Sequence, residues 1–177
     1  MKRVIIINGA GGVGKDTFCD LCKKFAWVIV RSSVSPIKEI AERVGWDGGK
    51  TERDRKFLSD LKDLCTEYND YPMQYMKKVY DYFMNVQNNR EVLFFHIREP
   101  LEIQKAVKEF NAVTVLITNK NVPAITTNHA DSEVANYPYD FYVNNDGTLE
   151  DLEVIAKGFI DFLRAEDETK RKENSNA

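Results

Sequence analysis

Gly9, Gly14 and Lys15, in the stretch GAGGVGKDT that runs from Gly9 to Thr17, have the spacing G-x-x-x-x-G-K, with Gly11, Gly12 and Val13 inside it. Glycines at such positions let the backbone approach phosphate oxygens closely and turn several amide N–H groups toward them. Lys15 adds positive charge near the outer phosphates, and a helix that starts there aims its positive end at the same place. The chemistry implied is capture of a polyphosphate. In the strict motif the lysine is followed by a serine or threonine whose hydroxyl binds Mg²⁺. Here Asp16 follows Lys15, and Thr17 supplies a hydroxyl one residue later. A carboxylate beside a triphosphate is repelled unless a cation lies between them. Three readings of Asp16 stand at this point: it binds Mg²⁺ directly or through water, it engages a cation near the site, or it is a favourable acid in a first helical turn.

The elements that must position this loop are legible from periodicity. Residues 3–7, 27–31, 92–97, 112–118 and 139–143 are short runs rich in β-branched and aromatic residues. Most are continuous rather than alternating, which suits strands buried on both faces of a parallel sheet. Helical patterns separate them. Phe18, Leu21, Cys22 and Phe25 share one face of 15–26, and Phe57, Leu58, Leu61, Leu64 and Cys65 share one face of 54–68; both faces are expected to pack. Another helix follows Pro72 through Met76, Val79 and Phe83, and Pro100 opens one carrying Ile103, Ala106, Val107 and Phe110. Thr148 with Asp151 resembles a capping box at the start of the last helix, whose buried face is Leu152, Ile155, Ala156, Phe159 and Leu163. The polar end, AEDETKRKENSNA, lacks apolar periodicity and is expected to fray, as a tail over 166–177.

This alternation predicts a doubly wound α/β fold with a five-stranded parallel sheet and a helical insertion between strands 2 and 3, and the glycine loop and lysine after the first strand make it a P-loop NTPase-type three-layer sandwich. Residues 1–165 are expected to form a single domain, with the insertion at about 36–90 and a lid-like loop at about 119–137. Ligands of such sheets bind at the carboxyl ends of the strands. Gly9–Lys15, Arg31–Ser33, His96–Glu99 and Asn119–Asn121 fall there.

Bulk properties narrow the function. A chain of 177 residues suits one domain, and a net charge of −3 gives no global basic field, which argues against nucleic acid as a partner. No run approaches the roughly 20 apolar residues that cross a bilayer, so no membrane is expected and the reading is cytoplasmic. Cys19, Cys22 and Cys65 are expected as free thiols, the first two as core residues rather than a redox or zinc pair. His129, Asp131, Ser132 and Glu133 do not form a hydrolytic triad, because no nucleophile-elbow sequence surrounds Ser132. The TNKN stretch fails as a guanine-reading motif, since Val122 occupies the aspartate position.

GAGGVGKDT resembles the loop of P-loop nucleoside monophosphate kinases, and is most similar to that of the phage-type deoxynucleoside monophosphate kinases, in which GKDT is characteristic. SVSPIKEIAERVGWDGGKTERDRKFLSDL, HIREPLEI and HADSEVANYPYDFYVNNDGTLEDL are similar to segments of the same family, in the same order, so that the resemblance covers most of residues 3–163. It implies transfer of the γ-phosphoryl group of ATP to a nucleoside or deoxynucleoside monophosphate, with Mg²⁺. Gly9, Gly11, Gly12, Val13, Gly14, Lys15, Asp16 and Thr17 would hold the ATP phosphates, and Asp16 and Thr17 the metal, partly through water, with Glu99 a further candidate. Lys15, Asp16 and Arg98 would be catalytic. The acceptor needs the planar forks of arginine. Arg31, Arg53, Arg55 and Arg98 are the candidates, with Ser33.

Two departures from the family matter. FFHIRE, at the end of the third strand run, lacks the aspartate that many P-loop enzymes use to hold a magnesium water. No arginine occurs between Arg98 and Arg164, leaving Lys120 as the lid's basic residue. Either Lys120 acts there as a point charge or transfer is slow or absent. The alternatives are therefore a nucleotide-binding regulatory module with little or no kinase activity, or a kinase for another small phosphorylated acceptor such as dephospho-coenzyme A. The expected partners are small-molecule nucleotides, and the expected assembly is a monomer or homodimer.

Overall fold

The structure is a computed structural model, and residues 1–85, 91–122 and 137–175 are described. The first strand, β1 (Arg3–Asn8), leads through the glycine loop into helix α1 (Lys15–Cys22). There follow β2 (Val28–Ser32), α2 (Ser35–Arg43), α3 (Glu52–Asn69), α4 (Tyr71–Asn85), β3 (Val92–His96) and α5 (Pro100–Phe110). β4 (Val113–Thr118), β5 (Phe141–Asn144) and a long α6 (Leu149–Ser175) complete the described elements. The five-stranded parallel sheet has the order β2-β3-β1-β4-β5. β1 lies between β3 and β4 with registers that pair Ile5 with Phe94 and Ile7 with Val115, and β4 pairs with β5.

The chain divides into two compact units. One is Met1–Val30 with Gln87–Ala177, and the other is Arg31–Val86. In the first, alternate side chains of each strand point to opposite faces. Ile5, Ile7, Phe94, Val115 and Ile117 therefore join Phe18, Cys19, Cys22, Leu152, Ala156, Phe159 and Ile160 in one core with α1 and α6. Phe18 meets Phe94 edge-on at 6.4 Å between ring centroids and Phe159 at 5.7 Å. Phe95 points the other way and contacts Phe110 of α5 at 5.5 Å. A helix layer thus covers each face of the sheet. Cys19 and Cys22 are buried members of the first core and carry free thiols, as does Cys65.

The second unit holds α2, α3 and α4. α2 buries Pro36, Ile37 and Ala41, and α4 buries Pro72, Met73, Met76 and Phe83. α3 departs from expectation. None of its residues is fully buried, and Phe57 and Leu64 are 36% and 64% exposed. Its half-buried face runs through Leu58, Leu61, Lys62, Cys65 and Thr66, rotated from the stripe the sequence predicted.

α6 is the second correction. The expected frayed tail is helical to Ser175. Its first turns beyond Leu163 are fastened to the strand-bearing unit by Arg164, which donates to Glu91 at 2.9 Å and to the Phe25 carbonyl at 2.8 Å, and by Glu166, which accepts from Arg3 at 3.3 Å. Polar contacts of this kind extend a helix where apolar periodicity has already stopped. Ile155, expected on its buried face, is 37% exposed, and Ile160 is buried in its place.

Candidate functional site

The glycine loop sits at the carboxyl end of β1, and three glycines in it have positive φ: Gly9 at 147°, Gly12 at 83° and Gly14 at 99°. Side chains are excluded at two of them by neighbours as well as by backbone. A Cβ on Gly9 would collide with the Ile117 carbonyl oxygen, and one on Gly14 with the Asn145 side-chain amide. Gly14 is the N-cap of α1, and its carbonyl accepts the Phe18 N–H at 2.9 Å, so the first amides of α1 open toward the loop. The Lys15 ammonium bends back across the loop and donates to the Gly9 and Ala10 carbonyls, both at 2.7 Å.

Two asparagines that the sequence reading did not single out hold this loop in shape. Asn8 is buried at the end of a strand of isoleucines. Its Oδ1 accepts the Gly9 N–H at 2.8 Å, while its Nδ2 donates to the Arg98 carbonyl at 3.0 Å and to the Tyr139 hydroxyl at 2.7 Å. One buried side chain thus ties the loop to the chain leaving β3 and to the segment entering β5. On the opposite side Asn145 donates to the Val13 carbonyl at 2.9 Å. The signal for Asn8 was a polar residue ending an otherwise apolar run; Asn145 had no local signal, because its partner is 132 positions away.

His96, at the end of β3, is the third residue that reasoning from the sequence left without a role. Its Nε2 lies 3.6 Å from an Asp16 carboxylate oxygen and 3.8 Å from the Cys19 sulfur. Burial holds the imidazole below its usual range, with the Asp16 carboxylate opposing that effect. Burial also pushes the Cys19 thiol upward, further than that of Cys22, which reaches about 12. Both cysteines are therefore inert thiols rather than nucleophiles. The Asp16 side chain is 92% exposed and Thr17 is exposed, so both present hard oxygens at the loop.

Mg²⁺ takes one or two protein oxygens plus phosphate oxygens and water, not a dedicated cage. The donor set of Asp16 and Thr17 fits that habit, and among the described residues no group of three histidine, cysteine or acidic side chains forms a cage.

The first unit thus brings together Gly9–Thr17, His96, Arg98 and Asn145. Arg98 is exposed just beyond β3, and Glu99 is the N-cap of α5. Lys120 follows β4, where its backbone N–H donates to Asp146 at 2.8 Å and its ammonium lies 3.9 Å from the same carboxylate. Most of the lid-like loop, 123–136, lies outside the described residues, as do His129, Asp131, Ser132 and Glu133. Arg31, Ser33, Arg53 and Arg55 belong to the second unit. Arg31, Arg53 and Arg55 are exposed and Ser33 is buried. Arg53 and Arg55 stand in the first turn of α3, behind a capping box in which Thr51 and Asp54 satisfy each other's backbone N–H.

No family model and no curated protein matches the chain. Among solved structures, the Deinococcus radiodurans tunicamycin resistance protein superposes with a TM-score of 0.53 at 13% identity, over 90% of this chain and 96% of that one. TT1252 from Thermus thermophilus gives 0.49 at 18% identity over 92% and 98%, and shikimate kinase from Aquifex aeolicus vf5 gives 0.47 at 13% identity over 93% and 98%. At these identities the likeness is one of fold, and it rests on the first. The five-stranded parallel sheet with a glycine loop between β1 and α1 is an α/β P-loop fold. Among the described residues no helix is long and apolar enough to cross a membrane.

Proposed function

We propose that the chain binds ATP through the Gly9–Thr17 loop and transfers its γ-phosphoryl group to a nucleoside or deoxynucleoside monophosphate. The observation that carries this reading is the loop itself: three positive-φ glycines, a helix N-terminus and Lys15 converging at the carboxyl end of the central strand. A β-turn takes at most two positive-φ residues, whereas a phosphate cradle needs a run of amides directed at one point.

Phosphoryl transfer gives the protein little covalent work. An acceptor phosphate oxygen bonds to the γ-phosphorus as the bond to the β–γ bridging oxygen breaks and ADP leaves, and catalysis consists of positioning and neutralising charge. The loop amides and the amides of α1 hold the ATP phosphates. Lys15, already suspended over the loop by two carbonyls, supplies charge to the outer ones. Asp16 and Thr17, with Glu99 as a further candidate, hold Mg²⁺, which when bound neutralises the charge on the phosphates. Arg98 neutralises the transferring group, since it leaves the strand next to β1 and its backbone is fixed by Asn8. Arg31, Ser33, Arg53 and Arg55 serve the acceptor.

A second reading is favoured by one observation. The basic residue that follows β4, Lys120, is engaged by Asp146, and no arginine lies between Arg98 and Arg164. A chain without a free lid cation would bind nucleotide with little transfer. Incubation with MgATP and a panel of nucleoside and deoxynucleoside monophosphates, with dephospho-coenzyme A and other small phosphorylated compounds added, separates these readings. ADP formation stimulated by one monophosphate is expected. Stimulation only by a different acceptor moves the substrate class, and ATP binding without any acceptor-dependent ADP supports the binding module.

A further inference from the structure

Asn145 is not among the residues assigned to the phosphates, yet it bears on how the loop presents its amides. The Val13 carbonyl and the Gly14 N–H belong to one trans peptide plane, so they point in opposite directions. Asn145 donates to that carbonyl at 2.9 Å. The Gly14 N–H is thereby turned away from Asn145. If the plane rotated, a carbonyl oxygen would take the place of the amide hydrogen and repel a phosphate.

The footing of Asn145 is rigid. Its own backbone N–H donates to the Thr118 carbonyl at 2.8 Å, Thr118 Oγ1 donates to Asn144 at 2.9 Å, and Asp146 accepts the Lys120 N–H at 2.8 Å. The ends of β4 and β5 are therefore sewn together beneath it. On the other side Val13 is buried in the core of α1 and α6, which fixes the residue whose carbonyl is held. The fit is close enough that no side chain can be added at Gly14 without striking the Asn145 amide. The Gly9 N–H at the other end of the loop is committed to Asn8, so the two asparagines pin the first and fifth residues of the loop.

We infer that Asn145 is a positioning residue for the phosphate loop: by holding the Val13 carbonyl, it sets the Gly14 N–H in the orientation that donates to a phosphate oxygen. This rests on the reading of Gly9–Thr17 as a polyphosphate site. Its loss should weaken binding by about the worth of one hydrogen bond, roughly fivefold to tenfold.

The test uses the full chain and inorganic tripolyphosphate, which has no base or sugar to contribute. Calorimetry is expected to show N145A binding about fivefold to tenfold more weakly than the unaltered chain. N145D, which sets a carboxylate against the Val13 carbonyl, should bind more weakly still. In protein labelled with [15N]glycine, tripolyphosphate should shift the Gly9, Gly12 and Gly14 amides of the unaltered chain, whereas in N145A the Gly14 response alone should fade. Equal affinity in N145A with an intact Gly14 response overturns the inference. So does a loss that falls evenly on all three glycines or comes with unfolding, which would make Asn145 mere structural support. If the unaltered chain ignores tripolyphosphate, the polyphosphate reading of the loop falls instead.

Discussion

The two units of the molecule solve the problem of holding a polar surface in different ways. In the unit that carries the phosphate loop, polar side chains make long-range bonds: Asn8 is buried with three hydrogen bonds, and the half-buried Asn145 and Arg164 reach across more than a hundred residues to backbone carbonyls. In the Arg31–Val86 unit, α3 fully buries nothing, and Thr51 with Asp54 and Lys56 with Asp60 make bonds within three or four positions. Long-range bonds fix a geometry that cannot relax without disturbing a core, whereas local ones fix only a helix end. The lesson is that preorganisation is concentrated where phosphate chemistry would need it, and that two of the candidate acceptor arginines, Arg53 and Arg55, stand on a helix that buries none of its residues.

The largest effect that would sharpen this contrast is in the core of the first unit. Phe94→Ala removes a fully buried ring packed on Phe18 and should cost about 3–5 kcal/mol in urea unfolding. A cost under 1 kcal/mol would mean that this core does not anchor the loop.

Next come two glycines with nearly equal φ. Gly14→Ala and Gly45→Ala both force a side chain into left-handed backbone, at about 1–2 kcal/mol each. Only Gly14 also faces a collision, with Asn145, while nothing lies within 4 Å of a Cβ on Gly45. Gly14→Ala should therefore be the more destabilising in parallel denaturant melts. Equal losses would break the comparison.

Smaller still is the acid-side effect of the two helix caps, Asp54 on α3 and Asp151 on α6. Hydrogen bonds from Thr51 and Thr148 respectively hold each carboxyl below its usual 3.8. A carboxyl depressed by folding adds stability above that value and loses it as the pH falls through the folded one. Asp54→Asn and Asp151→Asn should each be less stable than the unaltered chain near neutrality, and the gap should close below pH 3.8. A gap that persists at low pH would show that the charge is not responsible. The smallest expected change is Leu64→Ala, within about 0.5 kcal/mol, because that side chain is 64% exposed. A large loss in melting temperature would mean that the exposed face of α3 is covered in solution.

What the sequence made legible follows the range of the physics involved. The strand, loop and helix from Arg3 to Cys22 could be read because a continuous apolar run, glycines and a lysine are local signals. α5 was as plain: Pro100 opens it, and Ile103, Ala106 and Phe110 are all buried. The face of α3 was misplaced because helical spacing says which residues share a side and not whether another element covers it. α6 was cut short because its continuation depends on Arg164 finding Glu91 and Phe25. His96 and Asn145 were missed for the same reason, since each acquires its role from a partner at least 77 positions away, and Asn8, besides its bond to the adjacent Gly9, is tied to Arg98 and Tyr139, 90 and 131 positions off.

The most direct test of the central claim, that Gly9–Thr17 is a polyphosphate site governed by Lys15, is calorimetric titration of the unaltered chain and Lys15→Ala with MgATP. A charged hydrogen-bond donor to phosphate is worth about 1.5–3 kcal/mol, so the variant should bind roughly ten- to a hundredfold more weakly with an unchanged melting temperature. Equal affinity in the two proteins would contradict the account, because ATP would then be bound without the residue that the loop places over its mouth.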